Sequence, residues 1–226
     1  MNAAGIKSKQ MTFEKVLNDL KPGVFFLEET KMKDSGKLNI ENYVIFEKVR
    51  KNRDGGGGLA IGCLTDLQPV WVREGIDPVE TLSINIFIQN LKIRCCVAYG
   101  CQESDLIANK EAFWKYLDEE VEEATKSKSG LVIQFDGNLW AGNSIIPNDP
   151  RTQNRNGKLF QQFLQRNNHL TVVNSSDLCE GLITRRRVKS GKLEESVLDF
   201  FVVCHVVMPH IKRMVIDEEG KYVLTN

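Results

Sequence analysis

The feature that most constrains this chain is a recurrence of short apolar, β-branched runs. They fall at 24–27, 43–47, 59–64, 70–73, 82–88, 93–99, 131–135, 170–173, 182–186 and 197–207. Runs of this length and composition predict strands, so the chain must build sheets. Only three stretches carry helical spacing. The first covers 12–20, with Phe13, Val16, Leu17 and Leu20 at i, i+3, i+4 and i+7, and Lys21-Pro22-Gly23 ends it. The second covers 104–126, with Phe113, Leu117, Val121 and Ala124 as its buried stripe and the acidic run 118–123 on its wet face. The third covers 158–167. A last hairpin is expected over 214–224, turning at Glu218-Glu219-Gly220. Helices and strands do not alternate regularly enough for a doubly wound sheet. The pattern predicts two packed sheets with helices outside.

With 226 residues, 42% of them hydrophobic, the chain has material for one large core or two small ones. Lys plus Arg and Asp plus Glu number 30 each, so the formal net charge is zero. Binding to an anionic polymer therefore has to come from a local patch. The six cysteines form no C-x-x-C pair, which argues against a zinc site and for reduced thiols in an intracellular protein. No apolar run approaches the ~20 residues that a membrane-spanning helix needs.

The polar residues that carry chemistry sit at strand ends. Glu29 follows the apolar run 24–27, Asp136 and Asn138 follow 131–135, and Asp199 lies near the start of 197–207. Loops at strand ends present polar groups on a rigid base. Three carboxylates and an amide brought together there suit a hard divalent ion such as magnesium, which takes one or two protein carboxylates and leaves positions for water and phosphate. Such an ion neutralises phosphoryl charge and orients a water for in-line attack. Singly, each of these residues is an ordinary turn former; the functional case depends on the set.

The order of these words along the chain carries a resemblance. Asn2-Ala3-Ala4-Gly5, Leu27-Glu28-Glu29-Thr30, Gly57-Gly58-Leu59-Ala60, Tyr99-Gly100, Asp136-Gly137-Asn138 and Ser196-Val197-Leu198-Asp199-Phe200 follow one another as they do in the endonuclease/exonuclease/phosphatase superfamily. Within it, the chain most resembles the apurinic-type endonuclease domains of non-LTR, LINE-like retrotransposons. The resemblance implies a single domain over 1–226 of α/β (α+β) class, a four-layer αββα sandwich of two mixed sheets flanked by helices. It implies Mg2+ or Mn2+ as cofactor, DNA as substrate and a reverse transcriptase domain as partner in a parent polyprotein. By the same resemblance, Glu29 binds the metal with the amide of Asn2 nearby. Asp136 positions or deprotonates the attacking water. Asn138 and Tyr99 grip the scissile phosphate, and Asp199 orients a catalytic histidine.

The chain departs from the family pattern in places. Glu28 stands where the family commonly has Gln, and Gly137 where it often has a bulky residue. The family's closing Ser-Asp-His is missing, because no Asp-His pair occurs anywhere in the sequence. His205 falls in an apolar run and His210 follows Pro209, so neither has an Asp beside it. The family also places a strand before its first Asn, so the chain is expected to be cut at both ends. Two other readings keep the fold: a phosphatase acting on inositol or lipid phosphates, and a non-catalytic remnant or binding module. Further signals are weaker. Arg185, Arg186 and Arg187 form a local basic cluster with Lys189 and Lys192, suited to a DNA backbone or to a solvated strand face. Trp140 suits stacking on a base or packing in a core. The run Gly55–Gly58 lacks the following Gly-Lys-Ser/Thr of a nucleotide-binding loop and is expected to be a flexible turn.

Overall fold

The computed structural model describes residue 3 and residues 5–32, 37–50 and 57–222. The chain divides into two compact units, 1–99 with 222–226, and 100–221.

The first unit begins with a 3-10 turn, Ile6–Lys9, that runs into α1 (Gln10–Leu20). Phe13, Val16 and Leu17 are buried, whereas Leu20, expected in the stripe, is half exposed. The helix ends at Leu20 because Lys21 turns left-handed (φ 47°) and its N–H returns to Leu17 O at 2.7 Å. Three strands form an antiparallel sheet in the order β1 (Val24–Glu28), β3 (Leu59–Leu64), β2 (Tyr43–Lys48). β3 is buried along almost its whole length, which its unbroken apolar sequence requires. Phe25 lies opposite Gly62, and a Cβ on Gly62 would fall within 2.0 Å of the Phe25 ring. That ring meets Phe13 of α1 edge-on at 5.1 Å and Tyr43 at 5.2 Å, so the helix covers one face of the sheet. The meander β4 (Val70–Glu74), β5 (Glu80–Ile88), β6 (Leu91–Tyr99) supplies the next layer, with β3 against β5 and β6. Leu82, Ile84 and Ile86 pair across to Val97, Cys95 and Ile93, all buried.

The second unit holds α2 (Ile107–Lys126), β7 (Gly130–Asp136), α3 (Arg155–Arg166), β8 (Leu170–Val172), β9 (Cys179–Glu180), β10 (Arg185–Lys189), β11 (Lys192–Ser196), β12 (Asp199–Cys204) and β13 (Met214–Val215). β12 is central, antiparallel to β7 on one side and to β8 on the other. An aromatic cluster joins helices to sheet. Trp114 of α2 stacks on Phe160 of α3 at 5.7 Å, and Phe135 and Phe200, paired in register, have ring centroids 5.2 Å apart. Trp114 was not in the expected stripe, yet it belongs to this core at 6% exposure. α3 starts at Arg155, three residues before the expected 158, because Asn154 caps it by accepting from Gly157 N at 2.9 Å. The tip of β10–β11 is Ser190-Gly191, both at positive φ (50° and 73°), as a two-residue hairpin turn demands.

Two expectations are corrected. The apolar run 197–207 yields a strand only over Asp199–Cys204, and His205 lies exposed beyond it. The expected 214–224 hairpin, whose last two residues lie outside the described ones, does not form among the described residues. Met214–Val215 pairs parallel with Cys179–Glu180, and the chain then turns at Asp217, whose backbone carbonyl accepts from Gly220 N and whose side chain accepts from Lys221 N. A strand that finds a partner elsewhere has no need of a local one.

Candidate active site

In the second unit the site is built on two strand ends. Asp136 is the last residue of β7 and Asp199 the first of β12, and their Cα atoms are register partners. Their carboxylate oxygens come within 4.8 Å of one another. Asp136 is 8% exposed. The turn that follows is fixed by close backbone approach. Gly100 N donates to Asp136 O at 2.7 Å and Gly137 N to Leu198 O at 2.7 Å. A Cβ on Gly100 would lie 2.4 Å from Gly137 O, and one on Gly137 would lie 2.8 Å from the Leu139 side chain and 3.0 Å from the Phe200 ring. A bulky residue at 137 has no room here. Asn138 then adopts φ 44°, a conformation that asparagine tolerates better than most residues. Its N–H returns to Asp136 Oδ1 at 3.0 Å, and its Nδ2 donates to Gly100 O at 2.9 Å, so the Asn138 side chain is held in place.

Asp199 is positioned from behind. Thr184 Oγ1 accepts from the N–H groups of Leu198 (2.8 Å) and Asp199 (3.1 Å). Asn174 brackets the same strand, donating to Asp199 O at 3.1 Å and accepting from Phe201 N at 2.8 Å. Enclosure by protein pushes the Asp199 carboxyl above the usual aspartate range, while the Thr184 hydroxyl and the charge of Arg185 pull it back. Asn156 reaches the turn too. It is 3% exposed and donates from Nδ2 to Cys101 O at 2.8 Å and to Asn138 O at 3.4 Å, while its buried Oδ1 accepts no hydrogen bond. Thr184, Asn174 and Asn156 were not singled out from the sequence. The Asn-Gly dipeptide at 156–157 was the one available signal for the last of them.

Trp140 stands two residues past Asn138, 38% exposed, with the Arg151 guanidinium 5.2 Å from its ring centroid. It is a surface aromatic under a cation. Arg185, Arg186 and Arg187 are exposed on β10, but glutamates already attend two of them: Arg186 pairs with Glu195 and Glu218, and Arg187 with Glu194. His205 follows the end of β12 opposite Asp199, with its ring 6.0 Å from that of His169, and His210 lies in the 3-10 turn Met208–His210.

In the first unit β1 runs one residue further than its apolar stretch, so Glu28 ends the strand and is fully buried. Glu29, the residue that the resemblance assigns to the metal, follows it half-buried at φ 56°. Ala3 N donates to Glu28 O at 2.7 Å, Gly5 N to Glu29 O at 3.0 Å and Ile6 N to Thr30 O at 3.1 Å. Asn2 itself lies outside the described residues. Tyr99 ends β6, half-buried, opposite Glu80.

The Asp136–Asp199 pair fits a divalent ion. Two like charges directly opposite on adjacent strands destabilise a sheet, and a cation between them relieves the repulsion. The donors are hard oxygens, the ligand type that magnesium and manganese take. No disulfide joins the six cysteines, and among the described residues no helix is long and apolar enough to cross a membrane.

No protein-family model matches the sequence, and no curated protein does. Solved structures do match in fold. The endonuclease domain of TRAS1, a telomere-specific non-LTR retrotransposon, superposes with a TM-score of 0.67 at 17% identity, covering 93% of this chain and 85% of its own. The 3′ phosphatase NExo from Neisseria, bound to a product DNA hairpin, gives a TM-score of 0.71 at 17% identity over 92% and 86%. The AP endonuclease of Leishmania major gives 0.67 at 15% identity over 90% and 77%. The chain shares its fold with these proteins.

Proposed function

We propose that this chain is a divalent-metal-dependent phosphodiesterase that nicks DNA, of the kind carried by non-LTR retrotransposons beside a reverse transcriptase inside the cell. The observation that carries the reading is the in-register pair Asp136 and Asp199, with Asn138 locked beside it in a turn that two glycines make possible. The solved structures that share this fold are a retrotransposon endonuclease domain, an AP endonuclease and a 3′ phosphatase bound to DNA.

Asp136 and Asp199 would hold magnesium or manganese, with the carboxylate of Glu29 added by resemblance. The ion would supply charge neutralisation at phosphorus. The chain's own groups do the rest. Asp136 would take a proton from water as the water oxygen bonds to phosphorus and the bond from phosphorus to the leaving oxygen breaks, the released oxygen gaining its proton from solvent. Asn138 and Tyr99 donate to phosphate oxygens without adding negative charge, as an amide and a phenol can. Trp140 and the arginines of β10 face the nucleic acid.

A second reading, binding without cleavage, is favoured by the place of the histidines: His205 and His169 lie at the far end of β12 from Asp199. Supercoiled plasmid with magnesium separates the two. The nuclease reading expects nicked circles that disappear with EDTA and with Asp136→Asn. Retardation of DNA with no nicking, from a cooperatively folded protein, supports the binding module instead. Parallel assays with an inositol phosphate test the phosphatase alternative of the same fold.

A further inference from the structure

The glycine run has no part in the site described above, yet its last two residues touch the chain just past Glu29 and the cross-strand neighbour of Tyr99. Gly57 and Gly58 sit at φ 85° and 89°. A Cβ on Gly57 would lie 2.4 Å from Arg50 Nε and 2.9 Å from Glu80 Oε2, and one on Gly58 would lie 2.6 Å from Thr30 Oγ1. Only glycine fits both places. Their carbonyls accept from the chain just past Glu29: Lys31 N donates to Gly57 O at 2.9 Å and Thr30 N to Gly58 O at 3.1 Å. Gly58 N in turn donates to Glu80 Oε2 at 3.3 Å.

Glu80 is 4% exposed and forms an ion pair with Arg50. It is also the direct cross-strand neighbour of Tyr99, and the Arg50 guanidinium lies 5.9 Å from the Tyr99 ring centroid. A planar guanidinium can be anchored to a carboxylate while facing an aromatic ring, which the compact ammonium of lysine does poorly.

We propose that Arg50 and Glu80 are positioning residues for Tyr99: the buried pair, seated against the bare backbone of Gly57 and Gly58, fixes the Tyr99 ring and so aims its hydroxyl. The inference rests on the reading of Tyr99 as a phosphate-gripping residue. Its effect on the ring can be observed without activity.

The test uses Arg50→Lys, which keeps the charge that Glu80 needs, and Arg50→Met/Glu80→Gln, which removes both charges together. Thermal melts establish folding. The four tyrosines are replaced by 3-fluorotyrosine, and the Tyr99 resonance is assigned by its loss in Tyr99→Phe. Both variants are expected to shift or broaden the Tyr99 line, and Arg213→Lys, in an exposed pair with Glu180, to leave it alone. In plasmid nicking, Arg50→Lys is expected to lower kcat about tenfold, the size of one desolvated cation–π contact. In the Tyr99→Phe background it is expected to cost nothing further, because the two act through one group. An unmoved Tyr99 line in folded variants, or losses that multiply, overturns the proposal. If the wild-type protein does not nick but the line moves, the arrangement of the ring stands and the phosphodiesterase reading falls.

Discussion

Two strand ends, β1 and β7, look alike in sequence and differ in structure. Each is an apolar run followed by an acidic residue and then a residue at positive φ: Glu28 before Glu29 (56°), and Asp136 with Gly137 before Asn138 (44°). At β7 the strand ends on the acid, and the turn returns hydrogen bonds to that acid. At β1 the strand likewise ends on an acid, the buried Glu28, but the next residue, Glu29, is a second acid that stands half outside. Side chains alternate faces along a strand, so one residue of extension decides which of two adjacent glutamates is enclosed. Motif matching names the residue; the pleat decides where it points.

The sharpest way to break this comparison is at the β7 end. Asp136→Asn is expected to lower the nicking rate by ~100- to 10,000-fold, the usual loss for a missing general base. A rate within tenfold of wild type would show that Asp136 plays no part in the chemistry. Next in size is the stability of the turn. Gly137→Ala forces a methyl against Leu139 and Phe200 and is expected to cost about 1–3 kcal/mol in urea unfolding; an unchanged midpoint would mean that the turn yields. At the β1 end, Glu28→Gln and Glu29→Gln are compared for the magnesium concentration that gives half-maximal nicking. Glu29→Gln is expected to raise it about tenfold, as the resemblance that gives this carboxylate to the metal implies, and Glu28→Gln less. The reverse order would move the role to the enclosed glutamate.

The smallest effect extends the comparison to a half-buried acid outside the site. Glu218 accepts from Ile183 N and Leu182 N and pairs with Arg186, and these hold its carboxyl below the usual glutamate range. A depressed folded pKa means that the stabilisation is present above the unfolded value, about 4.3, and is lost as pH falls through the lower folded value. Amide exchange at Leu182 and Ile183 is expected to show protection that persists at pH 6 and declines toward pH 3, once corrected for intrinsic rates. Flat protection would detach Glu218 from that turn.

Much of this was legible in the sequence because it is local. Period-2 and period-3.6 patterns placed the main strands and helices to within a few residues, and the strand-end acids at 136 and 199 fell where the polar residues pointed. What was not legible depends on partners far along the chain. Nothing near Met214 says that it will pair with Cys179. Nothing near Thr184 or Asn174 says that they will hold the backbone at Asp199. Trp114 joins the aromatic core through partners far along the chain, Phe135 of β7 and Phe160 and Phe163 of α3. The glycine run looked like slack, and its last two members are instead a tight fit.

The glutamates of the β10–β11 hairpin carry a consequence for its arginines. Glu194, Glu195 and Glu218 serve Arg186 and Arg187 as built-in counterions. A phosphate that recruits one of these arginines has to displace a carboxylate tethered next to it, and that carboxylate stays behind to repel the strand. The grip of this hairpin on a polyanion should therefore fade with added salt more gently than a count of its arginines would suggest.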